Sequence, residues 1–214
     1  MAYSRGSNAN IIVGAAALFT YEDGALTPST SVPAFVSGTK YTETLSASAN
    51  TAKWRNVGYT SNGLELQFQP DFGEVAVDQV LDVAKLFKQG MKVNLKTAFA
   101  EATMENLLVA LAAKDSNLST VAGNPTLNLS AGDLGDVPVE AGLIAVGPGS
   151  GDAAVAKERI YTAYRALSIE SVTVSAKRDA ASMFEVSFRL LPDDSSGSYG
   201  KIVDRTVGTA GGGA

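Results

Sequence analysis

Apolar and polar residues alternate along much of the chain with a period of two, the pattern of strands that have one buried face and one wet face. Leu64, Leu66 and Phe68 are separated by Glu65, Gln67 and Gln69. Val75 and Val77 stand among Glu74, Ala76 and Asp78, and Met91, Val93 and Leu95 alternate with Lys92, Asn94 and Lys96. Residues 11–18 form a short apolar run that passes directly into Phe19, Thr20, Tyr21 and Glu22, which predicts a buried strand rather than an export signal. Residues 57–60 meet the 64–68 strand through Ser61, Asn62 and Gly63, and Asn-Gly between such runs predicts a tight hairpin. Further strands are predicted over 127–129, 142–146, 158–167, 170–176 and 183–191, with 177–180 as a hairpin link between the last two.

The period becomes helical where Met104, Leu107, Leu108 and Leu111 recur three and four residues apart. Acid precedes this run and Lys114 follows it, as the helix dipole favours, so a helix is predicted over 101–114, with a second, shorter one over 80–87. Residues 1–10 are small and polar, an N-terminal arm. Residues 22–53 hold Asp23-Gly24, two prolines and a Ser, Thr and Ala-rich stretch. Within them, 34–53 is expected to be an extended loop or hairpin. Residues 208–214, almost all Gly and Ala, are expected to be a flexible tail. No internal repeat or composition shift divides the chain. It is expected to hold a single mainly β domain over 11–207, a β-sandwich or barrel with one flanking α-helix.

Composition narrows the chemistry. The 214 residues carry 17 Lys and Arg against 22 Asp and Glu, a net charge of -5, which argues against a basic nucleic-acid-gripping surface. There is no Cys and no His. Disulfides, thiolate nucleophiles, Cys-ligated zinc and the commonest general base are therefore excluded. An enzyme, a cofactor and a metal site are all unexpected. Gly147-Pro148-Gly149-Ser150-Gly151 lacks the Gly-Lys-Ser/Thr ending of a phosphate loop and reads as an interstrand loop. Asp133, Asp136 and Glu140 do not have calcium-loop spacing and are interrupted by Pro138. Asp193 and Asp194 diverge on an extended chain, so they read as a solvated turn rather than an acid and base pair. Trp54 reads as core filler. No apolar run approaches the roughly 20 residues that a membrane-spanning helix needs.

Three stretches, taken in order, give the chain a resemblance. They are Trp54-Arg55-Asn56-Val57-Gly58-Tyr59-Thr60-Ser61-Asn62-Gly63-Leu64; the region from Glu74-Val75-Ala76-Val77-Asp78-Gln79 to Ala100-Glu101-Ala102-Thr103-Met104-Glu105-Asn106-Leu107; and Glu185-Val186-Ser187-Phe188-Arg189-Leu190-Leu191-Pro192-Asp193, followed by Lys201-Ile202-Val203-Asp204-Arg205. Together they resemble the major tail tube protein of long, non-contractile-tailed bacteriophages. Residues 34–53 are longer than that family's pattern.

The resemblance implies a virion structural protein, made in the bacterial cytoplasm, whose six-membered rings stack into a hollow tube with a continuous inner β-barrel. Four strands from each of six subunits, at about 4.8 Å spacing and about 40° tilt, would close a barrel roughly 48 Å across. DNA would pass through without specific binding, since acidic or neutral walls do not hold phosphates. The implied partners are further copies of the chain, a tape-measure protein, and terminator and tail-tip proteins, with no membrane. Glu65, Gln67, Gln69, Glu74 and Asp78 are the candidates for the channel surface; the competing placement is the outer wall or a subunit contact. The competing functions are the tube protein of a contractile tail or injection machine, and a β-sandwich binding or adhesion module.

Overall fold

The computed structural model describes residues 12, 14–21, 24–28, 54–79, 81–131, 134–135, 138–150, 157–174, 178 and 181–206. The expected arm 1–10, the loop 34–53 and the tail 208–214 lie outside these residues. The described part is mainly β, built on a large antiparallel sheet.

In chain order the strands are β1 (Ala17–Tyr21), β2 (Trp54–Asn56), β3 (Thr60–Val75), β4 (Lys85–Phe99), β5 (Leu118–Val121), β6 (Asn124–Leu127), β7 (Ala141–Pro148), β8 (Lys157–Ser168), β9 (Phe184–Leu191) and β10 (Gly200–Thr206), with helix α1 (Met104–Ala110) between β4 and β5. The main sheet runs β2-β1-β7-β8-β9-β4-β3, and β10 attaches to β8. β8 is therefore shared on one side. Its first half, up to Ala163, pairs with β10, and its second half, from Arg165, pairs with β9. β5 and β6 form a separate hairpin.

β7 is apolar throughout because both of its faces are covered. Leu143 and Ala145 enter one core with Leu18, Val93, Leu95, Ala163, Val186 and Phe188, while Ile144 and Val146 enter a second with Phe19, Leu26, Trp54 and Tyr164. Fully burying a side chain such as Phe19 contributes about 1.5–3 kcal/mol. Leu64 and Leu66 of β3, at one end of the strand order, pack on the same core as Ala16 beside β1 near the other end, so the sheet is curled. Trp54 is buried with its ring 5.0 Å from that of Tyr21, the core role its isolation suggested.

Several expected elements differ. The first strand begins at Ala17, later than the apolar run at 11–18, and Ile12 is exposed. Asn62 and Gly63 take positive φ values of 62° and 70°, as a tight turn would need, but they make a bulge inside β3. Thr60 and Ser61 already pair with Phe99 and Ala98, so the chain does not reverse there. Ala76–Asp78 do not continue the strand. The expected helix over 80–87 is instead, among its described residues, a bend at 81–84 entering β4 at Lys85.

The helix expected over 101–114 is shorter. The Thr103 hydroxyl accepts a hydrogen bond from the Asn106 amide and fixes its start, and Ala112, at φ 49°, ends it. Among the residues expected to form its inner face, Leu108 is buried and Leu107 half-buried, whereas Met104 and Leu111 are exposed. Residues 170–174 are not a strand; β8 itself is the neighbour of β9. Of the short strand expected at 127–129, only Leu127 is strand, as the last residue of β6; Asn128 and Leu129 lie beyond it.

Candidate functional site

The β3–β4 hairpin projects past the sheet as a ribbon. β9 pairs with β4 only from Val93 to Phe99, leaving Lys85–Lys92 of β4 with β3 as their one strand partner among the described residues. No described strand pairs with the outer edge of β3, which has 16 residues. Strand pleating sorts the side chains. Leu66, Phe68, Pro70, Phe72 and Glu74 share one face with Leu95, Val93, Met91, Lys88 and Leu86, and Glu65, Gln67, Gln69 and Asp71 share the other with Lys96, Asn94, Lys92 and Gly90.

The apolar face is open toward the ribbon end, where Phe68 (53%), Phe72 (54%) and Leu86 (58%) remain accessible to solvent. Charge is divided between the strands: β3 carries Glu65, Asp71 and Glu74 and no base, and β4 carries Lys85, Lys88, Lys92 and Lys96 and no acid.

The channel-surface candidates are partly brought together. Glu65, Gln67 and Gln69 lie side by side on the polar face and are exposed. Glu74 falls on the opposite face, opposite Leu86, because β3 has no extra residue between the two positions; the unpaired residue at the second register shift is Gln89, on β4. Asp78 lies in the turn beyond β3. The polar face is not purely acidic, since Lys96 stands opposite Glu65, Lys92 opposite Gln69, and Arg189 of β9 opposite Asn94.

Behind the ribbon, the first two of the three resembling stretches interlock. Asn106 is buried, and its side-chain amide donates to the carbonyls of Val57 (2.8 Å) and Glu101 (2.9 Å) while its oxygen accepts from Arg55 Nη1 (2.6 Å). The Glu101 carboxylate accepts from the Tyr59 amide at 2.9 Å. Gly58, at φ 82°, lies so close that a Cβ there would sit 2.1 Å from Glu101 Cδ. The Trp-Arg-Asn-Val-Gly-Tyr and Ala-Glu-Ala-Thr-Met-Glu-Asn patterns are thus two halves of one joint, which sets where β3 leaves the core. Sequence spacing cannot reveal that pairing.

Ionic contacts hold β10 and the turn before it. Arg159 donates to both oxygens of Asp204 (2.5 and 2.6 Å), and Arg205 reaches the buried carboxylate of Glu158 at 2.8 Å. The hydrogen bonds with Arg159 hold the Asp204 carboxyl below the usual carboxylate range, and those with Asp204 raise the guanidinium of Arg159 above its own. Arg165 binds Glu140 through two nitrogens and also meets Asp194 and the Pro192 carbonyl, which raises its affinity for its proton.

Asp193 and Asp194 do diverge, but Asp193 is buried rather than solvated. Its carboxylate accepts from the Ser195 hydroxyl and the Ser195 and Ser196 amides, bonds that lower its pKa. Glu140 is taken up by Arg165; Asp133 and Asp136 lie outside the described residues. No cluster of acidic side chains able to hold a metal occurs among the described residues. Of the loop expected at 147–151, Gly147 and Pro148 instead pair with β8 as the end of β7, the Gly149 amide donates to the Lys157 carbonyl, and Gly151 lies outside the described residues. No protein-family model matches the chain, and no curated protein matches it in sequence.

Proposed function

We propose that the chain is a tube-forming virion subunit of the kind found in long, non-contractile bacteriophage tails, assembling into stacked six-membered rings that conduct DNA. The observation that carries this reading is the β3–β4 ribbon. The edge of β3 carries a bulge at Asn62-Gly63, Pro70 and three acids, which limit indiscriminate pairing, but the apolar face beside it, with Phe68, Phe72 and Leu86, has no cover among the described residues, as a surface made for association would. In a protein that assembles, the same edge supplies hydrogen bonds to a neighbour and the apolar face supplies burial.

The three stretches that carry the resemblance support the reading in order: two form the joint that orients the ribbon, and the third supplies β9 and β10. A curled antiparallel sheet that continues from copy to copy is a route to a closed inner barrel. On this reading Glu65, Gln67 and Gln69 face the channel as a set, without Glu74. The interleaved Lys92, Lys96 and Arg189 make that wall charge-mixed rather than acidic, with Gln67, Gln69 and Asn94 set among them instead of a continuous phosphate-binding stripe.

Negative-stain electron microscopy of the purified chain at high concentration tests the reading, with a gel-filtered monomer fraction beside it. Hollow tubes or stacked rings of uniform diameter are expected. Monodisperse monomers that persist after long incubation, even with tail-tip complexes added as nuclei, would overturn it.

A further inference from the structure

Besides β3 and the short β2, β10 presents an edge with no strand partner among the described residues: it pairs with β8, and its aliphatic residues Ile202 and Val203 are exposed. Ile202 stands opposite Tyr161, and both line a cavity of about 420 Å³ with Leu66, Phe68 and Met91. Ile202 therefore belongs to the same sheet face as the apolar side of the ribbon. Alternation then puts Lys201, Val203 and Arg205 on the reverse face, the one that displays Glu65, Gln67, Gln69 and Asp71 on β3.

Joining the two edges would set Ile202 beside the apolar residues of β3 and Lys201 beside its acids, while Asp204 and Arg205, on the same two faces of β10, are already paired with Arg159 and Glu158. Neither Glu65 nor Lys201 has an ion-pair partner among the described residues.

Strand direction adds a constraint. The pairs β3·β4, β4·β9, β9·β8 and β8·β10 are all antiparallel, so β3 and β10 run the same way. Rotation about a ring axis preserves direction along that axis, so β3 of one copy meets β10 of the next in parallel. A two-fold dimer would instead pair β3 with β3 in antiparallel fashion.

We propose that the acidic edge of β3 in one copy pairs in parallel with the edge of β10 in a second copy. Gln67 lies beside Val203, Glu65 against Lys201, and Leu66 against Ile202. The contact is head to tail, and it rests on the tube-forming reading by naming the two surfaces that meet.

Because the chain has no Cys, introduced thiols report on this contact alone. In assembled protein carrying Gln67→Cys and Val203→Cys together, a short thiol-reactive cross-linker gives a ladder of covalent multimers. Each single variant stays uncross-linked, and an equal mixture of the two gives dimers only. Rings or tubes visible by microscopy without the 67–203 cross-link would overturn the edge assignment while leaving the tube-forming reading standing, as would cross-linking of Gln67→Cys alone. Absence of both assemblies and cross-links would overturn both.

Charge exchange gives a second measure that does not depend on thiol geometry. Glu65→Lys and Lys201→Glu each raise the concentration needed for assembly roughly two- to fivefold, as loss of a facing pair implies. The double exchange returns it to the original value; failure of the double exchange to rescue would count against the pairing.

Discussion

At the scale of single residues, the joint between β2 and α1 concentrates the most sensitive positions. Gly58→Ala forces an L side chain into φ 82° and into the space of the Glu101 carboxylate. It is expected to cost about 1–3 kcal/mol in chemical denaturation. Asn106→Leu preserves volume but leaves the Val57 and Glu101 carbonyls and the Arg55 guanidinium without their shared partner. A loss of about 3 kcal/mol is expected, since buried polar groups left unpaired are costly.

Asp204 gives a pH prediction. Its carboxyl titrates lower in the folded chain than in the unfolded one, so its contribution is present above the unfolded pKa of about 4 and is lost as pH falls through the folded value. Protection of the β10 amides, taken relative to their intrinsic exchange at each pH, should therefore fall below about pH 4 in the wild type. Asp204→Asn should show the lower protection already at pH 7, and the two proteins should converge in acid.

The elements divide by how local their determinants are. The alternation at 91–96 and the apolar run at 142–146 correspond to β4 and β7, because a strand's faces are written in its own residues. The hairpin expected at Asn62-Gly63 is instead a bulge with left-handed backbone, because whether such a pair reverses the chain or bulges a strand depends on β4, which continues alongside to Phe99. The helix was legible in period and overlong in extent, since its limits are set by the Thr103 cap and the reversal at Ala112 rather than by the spacing of leucines.

That difference has a measurable counterpart. Leu108→Ala should destabilise by about 2–3 kcal/mol, whereas Met104→Ala and Leu111→Ala, both on exposed positions, should stay within about 0.5 kcal/mol. The Glu158·Arg205 and Arg159·Asp204 pairs were not legible at all. Adjacent acid and base appear at both places in the sequence, but only the register of β8 with β10 joins them.

For the whole molecule, the sheet separates what folds from what, on the tube-forming reading, would associate. Two cores meet at β7, while the ribbon beyond Lys92 contributes little to either. Phe72→Gln should accordingly leave the thermal midpoint of the monomer nearly unchanged and abolish or strongly retard assembly, read by light scattering and microscopy. Equal loss of monomer stability and assembly would mean that the ribbon face is part of the core.

The two-sided burial of β7 also sets an order of events in time. β3 with β4 and β7 with β8 join segments that are close in the chain, whereas β1 must find β7 from Ala17 to Val146. Closing so long a loop comes late and slowly. Leu18 and Phe19, both wholly enclosed in the finished fold, thus stay unsheltered in a growing chain until β7 has been synthesised. Nascent molecules are most prone to misassociation in that interval, and refolding from denaturant should be limited by recruitment of β1 rather than by formation of the ribbon.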